Sequence, residues 1–352
     1  MSFGSVTTTI EATGDNRKQA KKIMSEILGK QVGSVGYGLM GLTWRSEPLS
    51  EEQSFKAMRA ALANGSNFWN AGEFYGLPDF NSLTLLEKYF TKYPQDADEV
   101  LLSVKGGLKD MQPDGSPENV RSSMDNCLKL LNGKKKIDIF ECARVDKNTP
   151  IEITLKVLDE EYVKTGKIGG IGLSEVSADT IERAVKVCKI VAVEAEVSLW
   201  TTDIFTNGVA QACARHNLPI VAYSPIGRGM LTGQITKPED IPEGDFRKTV
   251  PRFQGENFEK NLQLVRKLEK IAKKLDCTPA QLAISWVRSL SEKDGNPEII
   301  PIPGSATVER VNENAKYVPL RKEDLAEIDS ILQSFDVAGD RYGGHAAAFV
   351  EG

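Results

Sequence analysis

A chain of 352 residues, 40% hydrophobic and 26% charged, can bury a large globular core, and its formal net charge of −5 supplies no positive field for a nucleic acid or an anionic membrane surface. With only two histidines, His216 and His345, a histidine-rich metal site is excluded, and no stretch is apolar for the length of a membrane helix. The five cysteines (Cys127, Cys142, Cys188, Cys213, Cys277) are widely spaced without a C-x-x-C, and the N-terminus lacks the apolar core of a secretory signal, as expected of reduced thiols in a cytoplasmic protein.

Residues 1–34 form an N-terminal extension in which 17–28 has a helical pattern suited to pack under the rest of the chain. From residue 35 short apolar runs alternate with amphipathic segments. A glycine-broken strand at 35–42 precedes a helix at 48–65, capped by Ser50 with Gln53, buried through Phe55, Met58 and Leu62, and stopped by Gly65. Further strands are expected at 68–70, 100–105, 137–143, 168–173, 191–197, 220–223 and 299–303, which with the first makes eight. Thr149 with Pro150 and Glu152 should start a helix burying Ile151, Leu155, Leu158 and Tyr162, and Thr278 with Gln281 should cap another.

Eight strand–helix units without a compositional break favour one (β/α)8 TIM barrel over residues 35–318. A doubly wound dinucleotide fold needs G-x-G-x-x-G after its first strand, and none stands there. Instead Gly227-Arg228-Gly229-Met230-Leu231-Thr232-Gly233 follows the seventh strand, where barrels commonly hold phosphate. The polar stretch 227–261 reads as a long loop or lid. Residues 319–352 supply a helix (322–335) and a glycine- and alanine-rich tail packing on the barrel.

Barrel enzymes place their chemistry at the carboxyl ends of the strands. Tyr75, in the loop after strand two, and Lys105, ending strand three, fall there together. The ammonium should lower the phenol's pKa and make it a better acid for an oxygen that gains a proton. Taken singly, each also reads as a packing aromatic and a strand-end lysine. Glu141 points into the barrel by strand parity, as a polar group facing substrate or as a buried carboxylate paired with a basic neighbour. Trp44 suits a substrate wall. Asp340-Arg341-Tyr342 reads as a ring- or hydroxyl-binding trio or as a helix-terminal salt bridge.

Taken in order, several blocks over residues 36–314 resemble the aldo-keto reductases. They are 35–41, 67–76, Arg144-Val145-Asp146, Gly172-Leu173-Ser174, Ala222-Tyr223-Ser224-Pro225, and Gly304-Ser305 through Arg310 to Glu313-Asn314. Residues 67–76 and Asp245-Phe246-Arg247 look most like the fungal pyridoxal reductases. The resemblance implies NADP(H)-dependent reduction of an aldehyde to a primary alcohol, with Tyr75 as proton donor and Lys105 beside it. Asn70 stands where the family has Asp and Ala143 where it has His, so Lys105 is expected to lack its usual carboxylate.

By the same resemblance, Ser174 and Glu194 would bind the carboxamide and Tyr223 would stack on the nicotinamide. Glu175 stands where Asn is common, and Glu194 where Gln is. Gly227, Arg228, Gly229 and Thr232 would wrap the pyrophosphate, and Ser305 and Arg310 would take the 2′-phosphate. Glu313 and Asn314 would hold the adenine edge. The expected substrate is pyridoxal, its phenolic oxygen polarising the carbonyl from within, with Trp44, Glu141 and Arg341 on the substrate side. A broad-specificity aldehyde or ketone reductase fits too, as does a non-catalytic NADP-binding subunit of the channel β-subunit type. No metal, nucleic acid or membrane is expected, and the assembly should be a monomer or weak homo-oligomer.

Overall fold

Runs such as Leu101-Leu102 and Ile139-Phe140 put one apolar side chain inside a cylinder and the next outside it, because strand side chains alternate. The computed structural model describes residues 25–352 except 46, 48, 294 and 351, and the side chains of all of these but 292, 345, 346 and 348. Its main sheet has eight strands: β1 (Tyr37–Gly38), β2 (Phe68–Gly72), β3 (Leu101–Gly106), β4 (Ile137–Cys142), β5 (Ile168–Ser174), β6 (Ile190–Glu196), β7 (Ile220–Tyr223) and β8 (Ile299–Pro301). All pair in parallel with their sequence neighbours. The ring closes where Gly36 N–H donates to the Pro301 carbonyl at 2.9 Å and Gly38 bridges Gly304. A Cβ on Gly38 would stand 2.9 Å from the Ile302 carbonyl oxygen, so the closing strands need glycine to approach.

The barrel floor is apolar. Phe68, Leu101, Ile139, Val191, Val221, Ile300 and Ile302 fill it from inside. Ile27 and Val32 plug it from below, on a hairpin of Ser25–Ile27 and Lys30–Val32. Residues 25–27, expected to be helical, are therefore strand, and the rest of the expected helix before residue 25 lies outside the described residues. The turn is made by Leu28 and Gly29, both at positive φ (53° and 76°).

Helix Glu51–Ala63 carries the expected Ser50–Gln53 capping box, and Pro279–Ser289 the expected Thr278–Gln281 one. Helix Ile151–Leu158 buries the expected face, but Pro150 stands at its cap without a side-chain bond. The 227–261 stretch is not continuous loop. It holds tight 3-10 turns at Gly227–Thr232, Pro238–Asp240, Phe246–Thr249 and Pro251–Phe253, and helix Gly255–Lys274 starts earlier than expected. Among the described residues no helix is long and apolar enough to cross a membrane.

Candidate active site

Climbing each strand by two residues from the apolar floor leads to the polar upper layers. From Phe68 this reaches Asn70, from Leu101 it reaches Ser103 and Lys105, and from Ile139 it reaches Glu141. From Ala192 it reaches Glu194 and Glu196, and from Val221 it reaches Tyr223. Register sets Glu141 beside Lys105, Ser174 beside Glu194 and Glu196 beside Tyr223.

Tyr75 is placed by a short clamp above β2. Its N–H donates to the Gly72 carbonyl at 3.2 Å. Its own carbonyl accepts from Thr43 Oγ1 at 2.6 Å and from the Ser82 N–H at 3.1 Å. Ser82 Oγ in turn bonds both ends of the Gly72 peptide link, accepting from its N–H at 3.0 Å and donating to its carbonyl at 2.8 Å. A Cβ on Gly72 would lie 2.9 Å from the Tyr75 ring, so glycine there admits the phenol. Glu73 anchors the loop outward, accepting from Ser123 Oγ at 2.5 Å and Asn126 Nδ2 at 2.6 Å. Trp69, flanking the motif, is core. Trp44 is 42% exposed, and its ring centroid lies 6.0 Å from that of Tyr75, an aromatic wall beside the phenol.

Lys105 does not lack a carboxylate. Its Nζ donates to Glu194 Oε1 and, at 3.3 Å, to Asn70 Oδ1, with Glu141 Oε1 at 3.4 Å. Asn70 Nδ2 donates to Glu194 Oε2 at 2.7 Å. Both Glu194 oxygens are thus engaged by Lys105 and Asn70 rather than free for an amide, and Glu141 is the buried carboxyl of the pair rather than an open wall residue. Position 70 brings no charge, as expected, and Glu141 is paired with a basic neighbour; the charge that β2 lacks is delivered by Glu194 on β6.

Burial alone would drive Lys105 towards neutrality, but Glu194 and Glu141 outweigh it and lift its pKa above the ordinary lysine range. Burial, joined by Glu194, raises the Glu141 carboxyl above the usual carboxylate range, while Lys105 acts to lower it. The expected lowering of Tyr75 by Lys105 is present but loses to desolvation, and the phenol is pushed up to about 12.

Two cofactor-type regions adjoin this centre. Ser174 Oγ is buried at the mouth without a hydrogen-bond partner, and so is Ser305 Oγ. Thr232, Ser305, Arg310, Glu313 and Asn314 line one cleft. Gly227 and Gly229 turn the chain at positive φ (58° and 95°). The Arg228 guanidinium, expected on a pyrophosphate, points elsewhere: it donates to Glu196 Oε2 at 3.0 Å and the Arg341 carbonyl at 2.6 Å. Two orphaned buried hydroxyls and a cleft bearing an arginine suit a phosphorylated dinucleotide.

The tail closes the mouth from above. It is anchored by Asn261, which bonds both ends of Ala338 at 2.8 Å, and by Arg252 donating to the Gly339 carbonyl at 3.1 Å. Arg341 meets Glu175 at 3.0 Å and Glu196 at 3.4 Å. This is a salt bridge, but across the mouth rather than at a helix end. The Tyr342 hydroxyl meets that of Tyr223 at 2.8 Å and accepts from Arg144 Nη2 at 3.0 Å. In the sequence Arg144 stands out only as part of the Arg144-Val145-Asp146 block. The signal for it was a cation directly after Ala143, where a histidine is absent. His216 bonds Glu182 at 2.9 Å at a helix end, away from the site. The His345 side chain lies outside the described residues.

The profile of the Aldo/keto reductase family matches residues 34–333. The Schizosaccharomyces pombe protein named probable pyridoxal reductase 2 is 43% identical over 330 residues, covering 91% of this chain and 97% of that one. A Saccharomyces cerevisiae protein whose name carries the same activity is 40% identical, covering 87% and 95%. Among solved structures, glycerol dehydrogenase from Gluconobacter oxydans superposes with a TM-score of 0.75 at 22% identity, covering 88% of this chain and 94% of that one, a likeness of fold.

Proposed function

The chain belongs to the aldo/keto reductase family, a family of nicotinamide-dependent oxidoreductases, and from that premise we propose that it reduces an aldehyde to a primary alcohol with NADPH, pyridoxal to pyridoxine foremost. The observation that carries this reading is Tyr75, a phenol beside the open Trp44 wall with the buried Lys105 ammonium as the strongest charge acting on it. Names borne by the fungal relatives favour pyridoxal as the aldehyde. Arg310 in the phosphate cleft favours NADP(H) over NAD(H).

A nicotinamide held here would supply the hydride that the carbonyl carbon takes. Ser174 would hold its carboxamide, Tyr223 its ring, Gly227 and Gly229 its pyrophosphate, and Thr232, Ser305, Arg310, Glu313 and Asn314 the adenosine phosphate end. Tyr75 gives its proton to the carbonyl oxygen, completing the alcohol. With a pKa near about 12 the phenol holds that proton throughout the physiological range, and Lys105 offsets the charge of the phenolate left behind. Asn70, Glu194 and Glu141 hold the ammonium in place. Trp44 excludes water from one side.

Stopped-flow mixing of the NADPH-loaded protein with pyridoxal tests this. Loss of reduced-nicotinamide absorbance with pyridoxine formed in equal amount is expected, and Tyr75→Phe should slow it about 100- to 10,000-fold with NADPH affinity kept. No decay with any aldehyde would leave a non-catalytic NADP-binding role. Equal rates across unrelated aldehydes and ketones would mark a broad-specificity reductase.

A further inference from the structure

Three guanidiniums face the barrel mouth, from Arg144, Arg228 and Arg341, against two carboxylates, Glu175 and Glu196. Arg341 takes Glu175 at 3.0 Å and Glu196 at 3.4 Å, and Arg228 takes Glu196 at 3.0 Å. Of these three, Arg144 alone has no carboxylate in ion-pair contact, although Glu175 acts on it from farther away. Its hydrogen bonds go to neutral oxygens, the Ala143 carbonyl at 2.6 Å and the Tyr342 hydroxyl at 3.0 Å. Among the described residues no carboxylate lies within ion-pairing distance of it.

A guanidinium carries five N–H donors in a planar fork, so several stay unused here. A half-buried cation without a counter-anion is costly unless a ligand supplies one. The backbone beneath fixes its position, because the Ala143 N–H donates to the Gly106 carbonyl at 2.9 Å, directly after Lys105. The Tyr342 ring lies under the guanidinium at 5.3 Å, supported from the other side by Arg228 at 4.4 Å. Arg144 is joined to the mouth through Tyr342, whose hydroxyl it bonds at 3.0 Å and which meets the Tyr223 hydroxyl at 2.8 Å, and it acts electrostatically on the Tyr75 phenol less than Lys105 does.

We propose that Arg144 is the recognition group for an acidic hydroxyl ortho to the substrate's aldehyde. Resting on the reductase reading above, this names the substrate class: aromatic aldehydes with an ionisable neighbouring hydroxyl. An ortho-hydroxy aldehyde presents two adjacent oxygens, the carbonyl and the phenolate, and a planar fork of N–H donors suits such a pair. Arg144 then holds the phenolate beside the carbonyl, at the strand end that lacks a histidine. The hydroxyl in the substrate supplies the ion-pair contact that Arg144 lacks.

The test compares pyridoxal with pyridine-4-carbaldehyde, and 2-hydroxybenzaldehyde with benzaldehyde, for the wild type, Arg144→Gln and Arg144→Lys. The wild type should prefer the hydroxylated member of each pair. Arg144→Gln should lower kcat/KM for the hydroxylated members about 10- to 100-fold and leave the others within about threefold, with Arg144→Lys in between. Equal losses for both members, or no ortho preference in the wild type, would overturn the proposal. Quenching of tryptophan fluorescence by pyridoxine and by 3-deoxypyridoxine reads binding without turnover. If no aldehyde is reduced yet pyridoxine binds more tightly in an Arg144-dependent way, the recognition role stands and the reductase reading falls.

Discussion

Asn70 Nδ2 donates to Glu194 Oε2 across 2.7 Å, joining β2 to β6, strands that are not neighbours in the sheet. Through this bond the carboxylate that β2 lacks reaches Lys105 from the far wall, and the amide at position 70 orients it. Relative to the family pattern that the sequence resembles, the amide stands on β2 and the acid on β6, and the acid still reaches the ammonium.

Glu194→Gln should therefore cut turnover at least about tenfold and destabilise the protein, because a buried ammonium loses its ion-pair partner. Glu141, 3.4 Å from the ammonium, can supply part of that charge, so the loss should fall short of a full buried-charge penalty. Asn70→Asp added to Glu194→Gln returns the carboxylate to β2 and should recover most of both, giving a coupling of about 1–3 kcal/mol. Urea denaturation and steady-state kinetics on the four proteins of the cycle measure it. A double variant no better than Glu194→Gln alone would show that the exchange of strands is not compensatory.

Glu141 ties stability to pH. Its folded pKa is raised, so the folded chain keeps a proton there that the unfolded chain releases above the ordinary glutamate value of about 4.3. The stability this proton contributes is full below that value and is lost as pH rises towards the folded pKa. Glu141→Gln mimics the protonated form at every pH. As pH rises above the ordinary glutamate value towards the folded pKa, it should gain on the wild type by up to about 1.4 kcal/mol per unit, read from urea midpoints. Parallel stability curves would mean that Glu141 is ionised in the fold.

The barrel was legible because parallel strands buried on both faces read as unbroken apolar runs, as at Ile220–Tyr223. Tyr75 and Lys105 were legible through blocks of sequence. What Glu194 does was not, since its contact with Asn70 spans 124 residues and depends on how the closed ring sets one wall against another. The same holds for Arg144 and Tyr342, 198 residues apart. The first hairpin was misread because Ile27 and Leu28 continue a helical spacing, although Gly29 directly after them marks a turn. Arg228 went astray for another reason: its partner, the Arg341 carbonyl, comes from a tail whose path no local pattern discloses.

Arg310 should decide between the two nicotinamide dinucleotides. It lines the cleft with Ser305 and Asn314, and its Nη2 donates to Gln234 Oε1 at 2.7 Å, a neutral partner that a phosphate can displace. Loss of charge-assisted bonds worth about 1.5–3 kcal/mol predicts a rise of about 10- to 100-fold in the NADPH KM of Arg310→Ala, with the NADH KM within about threefold. Because the substitution also opens the contact with Gln234, Gln234→Ala serves as the control and should leave the ratio of the two KM values unchanged. If Arg310→Ala raises both constants alike, the arginine holds the loop after β7 rather than a 2′-phosphate, and the preference for NADPH has to come from elsewhere in the cleft.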